Sequence, residues 1–279
     1  MAGFVSKEET KRQSLAAFKQ WDKQWREHCL KNKPYIKNNL RDLEETGVEH
    51  DCLCVAYGPS LNDNLKHIKA MKERGAILLC VDKSFKVLME NGIVPDYCLV
   101  ADANVPFDGF CKGVDTTKTV MIAAMTTNPK WVAYWKNDIY FFINKDNISS
   151  QDIYMALTDY DYCIPAASNV GNALVVLAHE VFKFKRIFLF AYDYSWSEKK
   201  YYGGSDEVSS ASGPGKRKKY NMNHMRLLDA YGKMVSTSVN LSFSARWLMS
   251  YIMAGRVPVL NCTGSGIVDV PKANITVKN

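Results

Sequence analysis

The feature that most constrains this fold is the alternation, from Asp51 onward, of short apolar runs with helix-length amphipathic stretches. Strands that are apolar on both faces and separated by helices are typical of a mostly parallel sheet covered on each side. We therefore predict an α/β, Rossmann-like fold with helices on both faces of the sheet. The apolar runs predict strands at 52–56, 77–82, 97–102, 120–124, 139–143, 186–193 and 257–262. The helical periods predict helices at 62–74, 84–91, 128–135, 170–182, 221–231 and 243–254.

Before Asp51 the pattern is purely helical, so we predict an N-terminal helical cap at 1–50 and a Rossmann-like domain with C-terminal helices at 51–279. Apolar side chains recur every three or four residues from Leu15 to Cys29 and again after Pro34, which predicts two helices with a break between them. Their tryptophan face would pack on the next domain, or alternatively bind a partner or a membrane surface.

Composition excludes several classes of protein. Hydrophobic residues make up 47% and charged residues 23% of the 279 residues, which is typical of a folded chain and excludes general disorder. We find no apolar run of about 18–20 residues, and the charged start lacks the apolar segment of a signal peptide, so we expect a cytoplasmic protein without a membrane span.

The eight cysteines form no Cys-x-x-Cys pair and are expected to be reduced core residues. The net charge of +7 suits an anionic ligand.

One long segment, 195–220, lacks an apolar period and is rich in Ser, Gly and charge. Loops longer than about 12–15 residues are commonly functional or disordered, so we expect a mobile lid or an inert insertion. Its end carries the basic run Lys216, Arg217, Lys218 and Lys219, followed by Tyr220. These residues fit a solvated charge run, a clamp on a pyrophosphate, or a contact to a polyanionic acceptor such as nucleic acid.

In an open parallel sheet, ligands bind outside the carboxyl ends of the strands. The first strand ends in the turn Gly58-Pro59-Ser60, where a glycine permits close backbone approach and the following helix start offers amides to a phosphate. The turn lacks the lysine of a Walker A loop, so alone it is a weak signal.

Further polar residues follow the other predicted strands. Asp82 ends the second predicted strand, and a role in capping the following helix is enough to explain it. Asp102 ends the third predicted strand and is followed by Asn104. These two residues either contact a ligand or metal or form a turn. The 168–172 segment is a second candidate anion cradle, and Asp193 ends the sixth strand.

The order of these pieces resembles the MptE-like family, which includes 6-hydroxymethylpterin pyrophosphokinases and Maf flagellin glycosyltransferases. It runs from Gly-Pro-Ser-Leu at 58–61, through the strands ending at Asp82 and Asp102, to the 168–172 segment and the strand at 184–193. More loosely, it is similar to bacterial sialyltransferases that use CMP-sialic acid. The resemblance covers roughly 51–269 and implies a nucleotide-binding transferase domain.

The resemblance also implies site residues. Gly58, Pro59 and Ser60 would border the nucleotide phosphates, and Asp193 would close the pocket. The residues expected to line the nucleotide pocket are Asp102, Ser168, Asn169 and Gly171. Asp82 and Asn104 are further candidate nucleotide contacts, and Asp102 is also a candidate catalytic residue. Two positions depart from the relatives: Tyr57 stands where sialyltransferase-like members have Asn, and Tyr192 where a small residue is usual.

In the sialyltransferase-like enzymes, a histidine beyond a mobile loop acts as general base on the acceptor hydroxyl. His224 follows the long segment directly, at the predicted start of a helix, and is our candidate base or acid. We expect His28, His50 and His67 to be solvated and His179 to pack in the core.

Three functions follow. The first is a glycosyltransferase that uses a nucleotide sugar, needs no cofactor and modifies a hydroxyl of DNA, protein or glycan. The second is a pyrophosphokinase that transfers pyrophosphate from ATP to a pterin-like alcohol, with Mg²⁺ held by Asp102 and Asp82. The third is a nucleotide-binding protein that has lost its chemistry. The sequence does not define the oligomeric state.

Overall fold

The computed structural model describes residues 7–145, 148–165, 169–196 and 224–273. Its helices are α1 (Lys7–Asn32), α2 (Leu61–Glu73), α3 (Asp82–Glu90), α4 (Phe107–Phe110), α5 (Pro129–Tyr134), α6 (Ile148–Thr158), α7 (Val170–Val176) and α8 (Val239–Gly255). Its strands are β1 (Asp51–Val55), β2 (Ile77–Val81), β3 (Tyr97–Val100), β4 (Val120–Ala124), β5 (Ile139–Asn144), β6 (Cys163–Ile164), β7 (Arg186–Phe190), β8 (His224–Leu228), β9 (Met234–Ser238) and β10 (Val259–Asn261).

Eight of these strands form one sheet in the order β10-β7-β1-β2-β3-β4-β5-β6, and each neighbouring pair is parallel. The strands are buried along almost their whole length, as expected for a sheet covered on both faces. The predicted α/β, Rossmann-like fold is confirmed. None of the described helices is long and apolar enough to cross a bilayer.

The strand order changes direction at β1. From β1 the chain builds the sheet outward through β2 to β6, and it then returns to place β7 on the other side of β1. Open α/β sheets bind their ligands at such a switch point, outside the carboxyl ends of the strands. The β1–β7 junction is therefore the place where the fold itself favours a site.

The helix predicted at 221–231 is wrong. The described part of this segment is the strand β8, which pairs with β9 in an antiparallel hairpin, so His224 begins a strand rather than a helix. Gly232 has a φ of +80°, and the side chain of Asp229 accepts the amides of Tyr231 and Lys233. This turn chemistry reverses the chain where a helix would have continued.

The N-terminal region also differs from the prediction. The first expected helix is α1, but the residues after Pro34 form two short 3₁₀ helices, Lys33–Tyr35 and Leu40–Leu43, in place of a second helix. An Asn39–Asp42 capping box begins the second of these short helices. Helices α4 and α6 and the short edge strand β6 were not among the elements predicted from the sequence.

Helix α1 is tied to the sheet by a buried asparagine at its end. The Nδ2 of Asn32 donates to the backbone carbonyls of Met125 (2.9 Å) and Thr127 (2.8 Å), which directly follow β4. Asn32, Met125 and Thr127 are all buried, so water does not readily replace Asn32 as the partner of these two carbonyls. This contact fixes the end of α1 at the carboxyl edge of the sheet.

We expect Asn32→Ala to lower the free energy of unfolding by about 2 kcal/mol or more, because it removes two hydrogen bonds and leaves buried carbonyls unpaired. Lys31→Ala, one residue earlier and exposed, is the matched control and should stay within about 0.5 kcal/mol of the parent. Urea denaturation measures both values, and equal midpoints for the two variants would contradict this role of Asn32.

Candidate functional site

A buried carboxylate occupies the β1–β7 switch point. Asp193 is 2% exposed, and its Oδ2 accepts hydrogen bonds from the Ser60 hydroxyl (2.8 Å) and the Ser60 amide (3.4 Å). Its Oδ1 accepts a short hydrogen bond from the Ser265 hydroxyl. Burial raises the pKa of Asp193, and the bonds from Ser265 and Ser60 oppose that rise. One carboxyl group thus links the turn after β1, the turn after β7 and the loop after β10.

The glycines around Asp193 are required by its close approach. A Cβ atom on Gly58 would lie 1.9 Å from the Asp193 Oδ2, and one on Gly266 would lie 2.3 Å from the Asp193 carbonyl oxygen. The sequence placed Gly58 beside a ligand, whereas the group that the structure places against it is Asp193. Neither Ser265 nor Gly266 was among the expected site residues, although the loop of small residues after the last strand was the available signal.

The Asp193 carboxylate also lies at the start of α2, where we expected a phosphate. The Ser60 amide donates to the Asp193 carboxylate, and the Leu61 amide donates to the Gly58 carbonyl. Both amides at the start of α2 therefore already have partners within the chain. An internal anion therefore takes the position that the start of a helix offers to an anionic ligand. Pro59 lies between the two anchored residues of this turn.

The backbone around Asp193 is unusual. Ala191 and Tyr194 have φ angles of +60° and +49°, a left-handed conformation that side chains other than glycine rarely adopt. The Tyr192 hydroxyl donates to the Gly171 carbonyl (2.9 Å), and the Tyr194 hydroxyl makes a short bond to the Asn172 side chain. Residues held in such conformations cluster at ligand sites, where the surrounding structure maintains them.

The start of α7 contributes the next part of this edge. The Asn169 side chain caps the helix by accepting the Asn172 amide (2.9 Å), and Gly171 lies against the rings of Tyr192 and Tyr194. Tyr192 and Tyr194 flank Asp193 in the sequence, and both contact the start of α7. The predicted residues Asn169 and Gly171 therefore lie near Asp193. Ser168 lies outside the described residues.

Asp82 is the second buried carboxylate of the edge. It is 3% exposed and begins α3 directly after β2, with its Oδ1 accepting the Lys83 amide (2.7 Å). Its Oδ2 is buried and has no hydrogen-bond partner among the residues that the structure describes. Burial raises the pKa of Asp82 to about 7, Lys83 lowers it, and the charge of Asp102 raises it further. Capping, the reading that the sequence favoured, is not observed, because Val81 occupies the N-cap position.

Asp102 and Asn104 form a turn on the neighbouring strand end. The Asp102 Oδ1 accepts the Asn104 amide (2.8 Å), which is the geometry of an Asx turn. The Asn104 Oδ1 in turn accepts a hydrogen bond from Gln24 of α1 (3.0 Å). The turn role is therefore present, and a ligand role for Asp102 stays a prediction.

The structure leaves several expected residues without a described position. Lys216, Arg217, Lys218, Lys219 and Tyr220, with most of the 195–220 segment, lie outside the described residues. For His224, the backbone is described as the first residue of β8. Within the described parts of the chain, no three His, Cys, Asp or Glu side chains gather into a metal-binding group.

We expect Gly58→Ala to lower the free energy of unfolding by about 2 to 3 kcal/mol, because a methyl group there overlaps the Asp193 carboxylate. Gly109→Ala is the matched control, since a Cβ atom at Gly109 meets nothing within 4 Å. Chemical denaturation compares the two, and a Gly58→Ala protein as stable as the control would disprove the close contact.

Asp82→Asn should remove a pH dependence of stability. The pKa of Asp82 is about 7 in the folded chain against 3.8 for an ordinary Asp, so folding favours the protonated form. The wild type should therefore lose stability relative to Asp82→Asn as pH rises from about 4 to about 7, by up to 1.36 kcal/mol per pH unit. Urea denaturation of both proteins at pH 5, 6, 7 and 8 measures this; parallel pH profiles would refute it.

The comparisons with known proteins agree with this architecture. A family model described as 6-hydroxymethylpterin diphosphokinase MptE-like matches residues 27–199, more than half of the chain. No curated protein sequence matches. Among solved structures, the chain is similar to the Maf glycosyltransferase from Magnetospirillum magneticum AMB-1, with a TM-score of 0.64 and 17% identity.

That structural similarity covers 90% of this chain but 38% of the other protein, so this chain spans little more than a third of its length. At 17% identity the likeness supports the shared fold. The family match begins inside α1, includes β1 to β7, and contains both buried carboxylates of the site. The resemblance found in the sequence is confirmed, and the chain belongs to the MptE-like family.

Proposed function

We propose that this chain is a nucleotide-dependent transferase that moves a sugar from a nucleotide-sugar donor to an acceptor hydroxyl. Membership of a family described as diphosphokinases supports a transferase in general. The structural likeness to a protein titled a glycosyltransferase supports the choice of a sugar as the transferred group.

The observation that carries the proposal is the arrangement around Asp193. Two left-handed residues, a buried carboxyl group and obligatory glycines meet at the one point where the strand order reverses. Left-handed backbone at residues other than glycine costs about 1–3 kcal/mol per residue and clusters at ligand sites, so the presence of Ala191 and Tyr194 in one four-residue turn supports a site there. The donor nucleotide would bind here, with the proposed contacts Gly58, Pro59, Ser60, Ser168, Asn169 and Gly171.

The basic run at 216–219 and Tyr220 would contact the donor phosphates or the acceptor, which we propose to be a hydroxyl on nucleic acid, protein or glycan. Positive charge near the leaving phosphate stabilises the negative charge that develops on it. His224, the candidate base from the sequence, would accept the proton of the acceptor hydroxyl.

A second candidate, transfer of pyrophosphate from ATP, is favoured by one specific observation. The unpartnered Asp82 Oδ2 lies on a strand end next to that of Asp102. Mg²⁺ commonly binds one or two carboxylates together with substrate phosphates, so Asp82 and Asp102 would be the residues to hold it. When bound, Mg²⁺ would neutralise charge on the transferred phosphates.

Ligand-induced stabilisation separates the two candidates. A ligand that binds only the folded chain raises the melting temperature, and we would test CMP, CDP, UMP, UDP, GDP, AMP and ATP, each with Mg²⁺ or with a chelator. We expect a pyrimidine nucleotide to stabilise the protein equally in both conditions. A shift limited to ATP or AMP with Mg²⁺ would instead support pyrophosphate transfer.

Asp102→Asn sharpens this test, because asparagine keeps an oxygen that can accept the Asn104 amide but lacks the negative charge. For the glycosyltransferase, the nucleotide-induced shift of this variant should be the same with Mg²⁺ as with a chelator. Loss of a Mg²⁺-dependent shift in the variant would favour the second candidate. A protein that binds none of these nucleotides would refute both.

A further inference from the structure

The amides of the turn after β1, from Gly58 to the first residue of α2, are bonded within the chain. The Gly58 amide donates to the Ala191 carbonyl (3.0 Å), and the first amide of α2 donates back to the Gly58 carbonyl (3.1 Å). The Ser60 amide donates to the Asp193 carboxylate (3.4 Å), and Pro59 has no N–H group. A phosphate that binds at this turn must therefore take a donor from one of these partners.

Asp193 is the partner that a phosphate replaces most readily. Both groups are anions, so a phosphate oxygen can accept from the amide and the hydroxyl of Ser60 as the Asp193 Oδ2 does. The amide bond of 3.4 Å is also long for a hydrogen bond between N–H and oxygen. Displacement of the buried Ala191 carbonyl would instead leave a backbone group without its partner.

The contacts of Asp193 allow its side chain to move while its backbone stays in place. The Asp193 carbonyl accepts the Ile267 amide (2.9 Å), which fixes the main chain at this position. The two carboxylate oxygens are held by different loops, Oδ2 by Ser60 and Oδ1 by Ser265. Ser265 is only half-buried, so a rotation that releases Ser60 can leave the bond to Ser265 in place.

Gly58 provides the space in which one anion can replace another. A Cβ atom at this position would lie 1.9 Å from the Asp193 Oδ2, so any other residue type would fill the place of that oxygen. The glycine that admits the carboxylate therefore also admits a phosphate oxygen in the same position.

We propose that Asp193 is an internal competitor for the donor phosphate: its carboxylate holds the amide and the hydroxyl of Ser60, and a nucleotide phosphate binds by displacing it. The inference rests on the proposed function, because that function places the donor phosphates at this turn. A ligand shifts such an equilibrium only by its differential affinity for the two states. A nucleoside without phosphate has no group to exchange with the carboxylate and leaves Asp193 on Ser60.

Isothermal titration calorimetry with pyrophosphate and CDP, in about 0.15 M salt with a chelator, tests the competition. Asp193→Asn keeps the shape of the carboxylate but lacks its charge, so it should release Ser60 more easily and bind pyrophosphate about tenfold more tightly than the wild type. Asp63→Asn is the matched control, because it removes one negative charge from the first turn of the same helix, where the side chain is exposed and its charge is screened.

The control should change the affinity for pyrophosphate by less than about twofold. Unchanged affinity in Asp193→Asn would overturn the proposal, as would an equal gain in the two variants or the absence of binding in both Asp193→Asn and the wild type.

Ser60→Ala, added to Asp193→Asn, shows whether the gain arises at this turn. The double variant lacks the hydroxyl that the phosphate would take over, so we expect it to lose most of the gain in affinity. A gain that persists in the double variant would mean that the anion binds elsewhere, and the proposal would be wrong.

A crystal structure of the wild type with CDP or pyrophosphate decides the question even if Asp193→Asn does not fold. We expect a phosphate oxygen within hydrogen-bond distance of the Ser60 amide, and the Asp193 Oδ2 no longer bonded to Ser60. A complex in which Asp193 keeps its bonds to Ser60 contradicts the competition.

Failure of the proposed function is recognised separately. If CDP displaces Asp193 but the wild type releases no nucleotide from CMP-sialic acid, UDP-glucose or GDP-mannose, the competition stands and the transferase does not. If the wild type turns over a nucleotide sugar while Asp193 remains bonded to Ser60, the transferase stands and the competition does not.

Discussion

The site depends on one buried carboxyl group. Asp193 is removed from water, which disfavours its charge, and the hydroxyls of Ser60 and Ser265 supply the hydrogen bonds that burial takes away. Removing either serine would leave a buried oxygen with less than its full set of partners, at a cost of about 1–3 kcal/mol. Because the carboxyl group sits against Gly58, the residue type at that position is fixed by packing.

This arrangement changes how a nucleotide is expected to bind. The start of α2 is commonly regarded as a phosphate site in folds of this kind, yet here the amide of its N-cap residue, Ser60, already faces the Asp193 carboxylate. A phosphate would bind beside that internal anion or would displace it. Burial raises the pKa of Asp193, and the hydrogen bonds from Ser265 and Ser60 oppose that rise.

The sheet could be predicted from the sequence because its strands are continuous apolar runs and because Gly, Pro and Asn mark their ends. The carboxyl-edge residues Asp82, Asp102 and Asp193 followed from the same pattern. The β8–β9 hairpin was missed because its leucines also fit a helical period, and the turn chemistry of Asp229 and Gly232 decided the outcome. The contacts of α1 could not be predicted, since an amphipathic helix does not reveal which distant carbonyls its polar side chains will bond.

Those contacts impose an order on folding. His28 and Thr126 are separated by 98 residues, and Ser60 and Asp193 by 133. A ribosome synthesises the chain from its N-terminus, so α1 leaves the ribosome long before the end of β4, to which its side chains bond. Contacts between such distant residues also form late, because the entropy of closing a long loop must be overcome first. During synthesis, the polar face of α1 and the Gly58 turn therefore stay exposed to water and to chaperones until Thr126 and Asp193 have left the ribosome.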